Sequence, residues 1–349
     1  MQVWTELAQV PVDFGPSVVT LGNFDGVHRG HAQVLRRMAD DARTAGLCSA
    51  AVTFTPHPAQ VHRPAIAPPL LTGDADRMAL MAATGLDAVL LVTYTLEFAR
   101  QSPEEFVHRY LVDGLHARTV VVGRDVRFGA GNSGDLATMV ELGARLGFDV
   151  EVVEDVRAAD QAHVADRTYA GDDPARRPAL LRRWSSTWAR EALAAGDLRM
   201  AAQVLGRVHR VRGTVVHGDA RGRGLGYPTA NLGPDLTGMV PVDGVYAGWL
   251  RRLRHTDGTP VAPGETDSVL PAAVSVGTNP TFDGAGRRVE AYVLDRTDLE
   301  LYGEEVAVEL VERVRGMERF DSVAALIAQM ADDVERVREL LAREVPPRP

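Results

Sequence analysis

Two imidazoles three residues apart, His28 and His31, stand in the stretch TLGNFDGVHRGH, Thr20 to His31. It follows Ser17-Val18-Val19, an apolar lead-in that reads as the end of a buried strand. Gly22 permits close backbone approach, and Gly26 and Gly30 keep the next turn and helix start free of Cβ atoms. Asn23, Phe24 and Asp25 lie between them. A helix that begins here presents unpaired N–H groups and a positive dipole end, which is an anion site. His28 and His31 fall on one side of its first turn, where both can donate to phosphate oxygens. The loop reads as built to hold a triphosphate. Two histidines at this spacing also suit zinc, but no third ligand follows at a recognisable interval, and a pair of capping or surface histidines remains open.

Three further segments carry polar groups at strand ends or helix starts. VVGRDVRFGAGNSGD, Val121 to Asp135, repeats the glycine logic with Gly123 and offers Asp125 and Arg127; it is also compatible with a loop that merely closes a sheet. WSSTWARE, Trp184 to Glu191, sets Ser186, Thr187 and Arg190 at a helix start, where an ordinary N-cap is the simpler alternative. FTPHP, Phe54 to Pro58, places His57 at a strand end with no catalytic part expected.

A second cluster lies downstream. VHGDARGRGLGYPTANL, Val216 to Leu232, contains Gly218, Gly222, Gly224 and Gly226, a loop able to wrap phosphates with backbone amides. Thr229 and Asn231, two apart on an extended segment, face one side. Their oxygens suit Mg²⁺, a hard cation, although PTAN also makes an ordinary turn. Glu290 stands among apolar residues of a predicted strand, either on an exposed alternate face or placed for proton transfer. Phe282 and Phe320 could stack on an aromatic ligand or simply fill a core.

These residues need elements to hold them. In residues 1–155, apolar runs at 18–22, 50–54, 88–92, 119–123 and 148–153 alternate with helical patterns near 31–45, 74–84, 103–113 and 135–146. That alternation predicts a parallel sheet covered by helices. Residues 156–183 are charged, without a period, and read as an exposed insertion. A helical pattern resumes over 187–205. Beyond Val208, alternating segments at 211–217, 244–250, 272–276, 289–294 and 305–314 predict a small antiparallel barrel. Residues 322–343 predict one long amphipathic helix. The expected division is 1–205 and 206–349.

Composition narrows the chemistry. The 349 residues suffice for about two domains. A net charge of −9 argues against a nucleic-acid surface. No apolar run approaches a membrane span, and a single cysteine, Cys48, offers no disulfide, so a cytoplasmic protein is expected. All 38 basic residues are arginine. A lysine-bearing P-loop and a lysine Schiff base are therefore excluded, and phosphate chemistry must use amides, arginine, histidine and metal ions.

Taken in order, LGNFDGVHRGH, VTFTPHP, SPEEFV, VVGRDVRFG, WSSTWARE, RGRGLGYPTANL, SVGTNPTFDG, VEAYVLD and RFDSVAALIAQMADDV resemble the bacterial bifunctional riboflavin kinase/FAD synthetase family almost end to end. The resemblance implies an α/β nucleotidyltransferase domain (Rossmann-like, parallel sheet), then a six-stranded antiparallel β-barrel with a C-terminal helix. It implies that His28, His31 and Arg190 serve adenylyl transfer, with Gly22, Asn23, Phe24, Asp25, Gly30, Gly123, Asp125, Arg127, Ser186 and Thr187 around ATP. In the kinase it implies Gly218, Gly222, Gly224 and Gly226 around ATP, Thr229 and Asn231 on Mg²⁺ and phosphate, and Glu290 as base. Phe282, Arg319 and Phe320 then approach flavin. Riboflavin, FMN and ATP are the implied partners, with no nucleic acid or membrane, in a monomer or weak homo-oligomer. The family often has Asn where Asp125 stands and a larger aliphatic residue where Ala189 stands, and the 156–183 insertion directly precedes the Ser-Ser-Thr segment.

Overall fold

The computed structural model describes residues 1–154, 156, 182–218, 226–262, 264–278 and 287–347. The chain forms two compact units, Met1–Pro68 with Asp74–Ser185, and Pro69–Gly73 with Ser186–Pro349.

The first unit is a six-stranded parallel sheet: β1 (Gln2–Trp4), β2 (Ser17–Leu21), β3 (Cys48–Thr55), β4 (Ala88–Thr93), β5 (Ala117–Gly123) and β6 (Asp149–Val153). Its spatial order is β1-β4-β3-β2-β5-β6. Both faces are buried, so successive residues alternate between two apolar layers. Val19, Val52, Leu90 and Val120 pack on one side, and Val18, Ala51, Val89 and Val121 on the other. Helices α1 (Arg29–Ala45), α2 (Pro58–His62), α3 (Asp74–Ala82), α4 (Pro103–Phe106) and α5 (Leu136–Leu146) connect the strands. The predicted 103–113 helix begins as α4 on a Ser102–Glu105 capping box, then widens into π-helical turns over Val107–Gly114. The three-residue β1 is too short to show a period, and sequence alone does not reveal it.

Chain order and spatial order diverge where β1 pairs with β4 at the far edge, and again, from β2 onward, at a single reversal. After β2 the chain builds outward through β3 and β4, then returns to add β5 on the other flank of β2. Ligands of such sheets bind beyond the carboxyl ends of the strands at this reversal. The segments leaving β2 and β5 are the Gly22–His28 and Gly123–Arg127 loops.

The second unit opens with α6 (Ser186–Ala195) and α7 (Leu198–Leu205), which divide the predicted 187–205 helix at Gly196. Gly196 adopts φ +76°, a left-handed conformation that ends α6, and Asp197 caps α7 by accepting from the Met200 amide. The six strands β7 (His209–Val216), β8 (Thr229–Leu232), β9 (Gly244–Arg254), β10 (Val269–Thr278), β11 (Arg287–Val293) and β12 (Glu305–Arg315) then close a barrel in the order β10-β11-β8-β7-β12-β9. Every pairing is antiparallel. Val211, Val274, Val289 and Ala291 are buried at alternate positions, the period expected of an inward face. The last helix, α8 (Val323–Leu341), starts at Ser322, whose hydroxyl accepts from the Ala325 amide. Val337, Leu340 and Leu341 of α8 pack on Ala247 and Trp249 of β9.

Candidate functional site

In the first unit the loop after β2 is held in unusual backbone. Phe24 and Val27 take positive φ (48° and 36°) beside Gly26 at 76°. Non-glycine residues in this region store strain, which clusters at ligand sites. Two donors brace the loop by bonding the Asn23 carbonyl, Arg77 Nη1 at 2.9 Å and Thr53 Oγ1 at 3.2 Å. Arg77 is almost fully buried and also reaches the Phe54 carbonyl and Asp74. Burial pulls its guanidinium below the ordinary value, and the charges of Asp74 and Asp25 oppose that shift. Phe24 and Asp25 face inward as part of this brace. Arg77 has no motif around it, and its role is visible only once α3 is folded against the loop.

His28 is the N-cap of α1, and its Nδ1 accepts from the His31 amide at 3.3 Å. In the neutral ring the proton then sits on Nε2, which remains a donor. The His28 and His31 rings stack at 3.7 Å and 22°, and the Phe24 ring meets His31 edge-on at 5.2 Å. A Cβ on Gly30 would lie 3.2 Å from the His28 ring, so the glycine lets that ring fold over the helix start. His31 keeps some exposed surface, but its Nδ1 is enclosed and has no hydrogen-bond partner. Burial lowers its pKa to about 4, and the ring is neutral at pH 7.

Across the reversal, Asp125 lies over Gly123 with Oδ1 3.2 Å from where a Cβ would stand. Asp125 pairs with Arg183 at 2.9 Å. The added carboxylate is thus offset by an arginine just ahead of the Ser-Ser-Thr segment. Arg127 folds back on the Val126 carbonyl. His57 is the N-cap of α2, its ring accepting from the Ala59 amide. Ser186, Thr187 and Arg190 start α6 in the second unit, where Arg190 Nε donates to the Pro69 carbonyl at 2.8 Å. Ala189 is fully buried.

In the second unit, register brings the downstream residues together. Glu290 of β11 stands directly opposite Asn231 of β8, and Tyr292 opposite Thr229. Directly opposed residues share a face, and their half-buried positions alternate with the buried Ala230, Leu232 and Ala291. Thr229, Asn231 and Glu290 therefore lie together on the outer face of the barrel. Asn231 Nδ2 is 3.2 Å from Thr229 Oγ1. A Cβ on Gly218 would sit 2.6 Å from the Asn231 amide, so the backbone at Gly218 passes against that side chain. A cavity of about 40 Å³, lined by Val215, Pro228, Thr229, Val293 and Tyr302 among others, opens beside this row. Gly226 has φ +87°. Gly222, Gly224 and Phe282, with most of the 156–183 insertion, fall outside the described residues. Phe320 is half-buried and Arg319 exposed, both on the segment after β12. Among the described residues no cluster of three His, Cys, Asp or Glu could hold a metal.

A parallel α/β unit with a braced glycine-bearing loop at its reversal, joined to a barrel carrying a Thr-Asn-Glu face, defines the architectural class, and similarity to known proteins gives the family. The FAD synthetase family profile matches residues 11–167, and the riboflavin kinase profile residues 205–341. A bifunctional riboflavin kinase/FMN adenylyltransferase of Escherichia coli K12 is 34% identical over 97% of this chain and 95% of its own. A Listeria monocytogenes protein of the same description is 33% identical over 97% and 95%. A crystal structure described as a macrolide-efflux protein of Streptococcus pneumoniae, 29% identical, superposes with a TM-score of 0.76 over 96% of this chain and 98% of its own. The chain belongs to the bifunctional riboflavin kinase/FMN adenylyltransferase family.

Proposed function

We propose that residues 206–349 transfer the ATP γ-phosphate to riboflavin, giving FMN, and that residues 1–205 join FMN to the AMP moiety of a second ATP, giving FAD and pyrophosphate. The observation that carries the reading is the shared outer face of Thr229, Asn231 and Glu290, with Glu290 and Asn231 directly opposed.

In the kinase reaction the Glu290 carboxylate takes the proton of the ribityl 5′-hydroxyl as that oxygen attacks the γ-phosphorus in line. The Thr229 hydroxyl and Asn231 amide oxygen are hard ligands, and Gly218, lacking a Cβ, lets the backbone come close to the Asn231 side chain. Mg²⁺ bound there would neutralise charge on the phosphates. In adenylyl transfer the FMN phosphate, already ionised, attacks the ATP α-phosphorus and pyrophosphate leaves. No base is required, so catalysis rests on positioning and on N–H donors. His28 Nε2, the His31 ring and the first amides of α1 supply donors. The proposed enzyme is cytoplasmic, uses riboflavin, FMN and ATP, engages no nucleic acid or membrane, and is a monomer or weak homo-oligomer.

The test is incubation with riboflavin, ATP and Mg²⁺, with riboflavin, FMN and FAD separated chromatographically over time. H31A should leave FMN formation intact and slow FAD formation by about 10²–10³-fold. E290Q should stop FMN formation and leave FAD formation from supplied FMN unchanged. A folded variant of either kind that lost both activities would refute the division of labour. Bound flavin without ATP turnover would instead mark a flavin-binding protein.

A further inference from the structure

The row containing Asn231 and Glu290 continues across the barrel. Ser275 of β10 is opposite Glu290, Val245 of β9 opposite Ser275, and Arg315 of β12 opposite Val245. Five strands thus present Asn231, Glu290, Ser275, Val245 and Arg315 in one line. Glu290 and Arg315 are three strand spacings apart, about 14 Å, a span of the order of riboflavin's own length.

Arg315 ends that line in a fixed posture. Its Nε lies 2.8 Å and its Nη2 2.7 Å from the two carboxylate oxygens of Asp333 on α8. Asp333 is 5% exposed and also accepts from Gln329 Nε2 at 3.0 Å. Arg315 Nη1 donates to the Gly316 carbonyl at 2.9 Å, and the guanidinium carbon stands 5.6 Å from the centre of the Phe320 ring. One side chain therefore grips α8, the backbone that leaves β12, and the ring four residues further on. The gripped segment reaches toward the row, because the Met317 methyl lies 3.5 Å from where a Cβ on Gly277 would be. Gly277 is two residues beyond Ser275 on β10 and shares its face.

We infer that the Asp333–Arg315 pair is a positioning device for riboflavin: it holds residues 316–320 so that Phe320 is set in advance against the flavin ring while the ribityl end lies at Glu290. This rests on the kinase reading above. A two-point arginine–carboxylate contact fixes direction as well as distance, and a ring ordered before binding spares the ligand that ordering cost. Neither Asp333 nor Arg315 meets the reacting atoms, so their effect belongs to riboflavin binding and not to the chemical step.

The experiment is steady-state FMN formation by the full chain for D333N, F320L and the double variant, with FAD formation from supplied FMN as an internal control. D333N should raise the riboflavin KM about tenfold, within the range of coupling seen for residues in one network. It should change kcat and the ATP KM less than about twofold and leave FAD formation unchanged. The double variant should be no worse than F320L, because the pair acts through that ring. Should D333N not fold, R315K keeps the charge and loses the two-point geometry, and carries the same expectations, including the cycle with F320L. An unchanged riboflavin KM, a fall in kcat alone, an equal rise in the ATP KM, or fully additive D333N and F320L effects would each overturn the inference. A wild-type chain that binds riboflavin but makes no FMN would refute the kinase reading itself, a result visible before any variant is made.

Discussion

The neutral state of the partly enclosed His31 ring can be tested by acid. Its native pKa of about 4 lies below the ordinary histidine value of about 6.5. The unfolded chain therefore binds the proton that the native chain refuses, between those two values. The stabilising contribution is complete above about pH 6.5, falls as the solution is acidified, and is gone near pH 4. Over the whole window it amounts to ~3 kcal/mol, of which ~2 kcal/mol is lost by pH 5. The perturbation is H31Q, which keeps a polar side chain at this position and removes the titration. We expect an NMR titration of the wild-type ring, assigned by its absence in H31Q, to give a midpoint near 4. Urea unfolding followed on resonances of β2 should show the wild type losing ~2 kcal/mol more than H31Q between pH 7 and pH 5. A ring midpoint at 6 or above, or parallel losses in the two proteins, would show that the fold does not hold the His31 ring neutral.

Two further substitutions probe the braces around each site. G218A places a methyl 2.6 Å from the Asn231 amide, and the resulting shift of order 1 Å should slow FMN formation about 10²-fold. FAD formation from FMN should be unaffected, and unchanged FMN formation would mean that the Gly218 approach is incidental. R77M removes the donors to the Asn23 and Phe54 carbonyls, leaving both without their buried partner, at a cost of about 3 kcal/mol to the first unit. Differential scanning calorimetry should show a lowered transition, and an unaltered one would remove Arg77 from the account of the loop.

Both architectures were legible because their periods differ: doubly buried runs such as Ala88–Val92 mark parallel strands, while the alternation of Val289–Val293 marks a half-buried barrel strand. The site loops announced themselves through glycines and polar residues at strand ends. What escaped was set by distant packing. Glu290 alone could have been a solvent-facing carboxylate, and only the β8–β11 register places it opposite Asn231. Gly196 and Asp197 form a helix stop followed by a cap, and the left-handed conformation of Gly196 shows that the continuous 187–205 pattern is two helices. Arg77, Arg315 and Asp333 act through side-chain contacts formed by elements far apart in sequence, and no local spacing reports such contacts.

The closed barrel has a consequence for how this protein can change over time. Each of its strands is clasped on both flanks, so none can slide to absorb an added or deleted residue. One residue gained within β11 would turn Glu290 toward the interior and bring Ala291 outside, exchanging a carboxylate for a methyl at the reactive surface. Length variation among descendants of this chain should therefore be confined to the connections between strands, while the strands themselves keep their residue count.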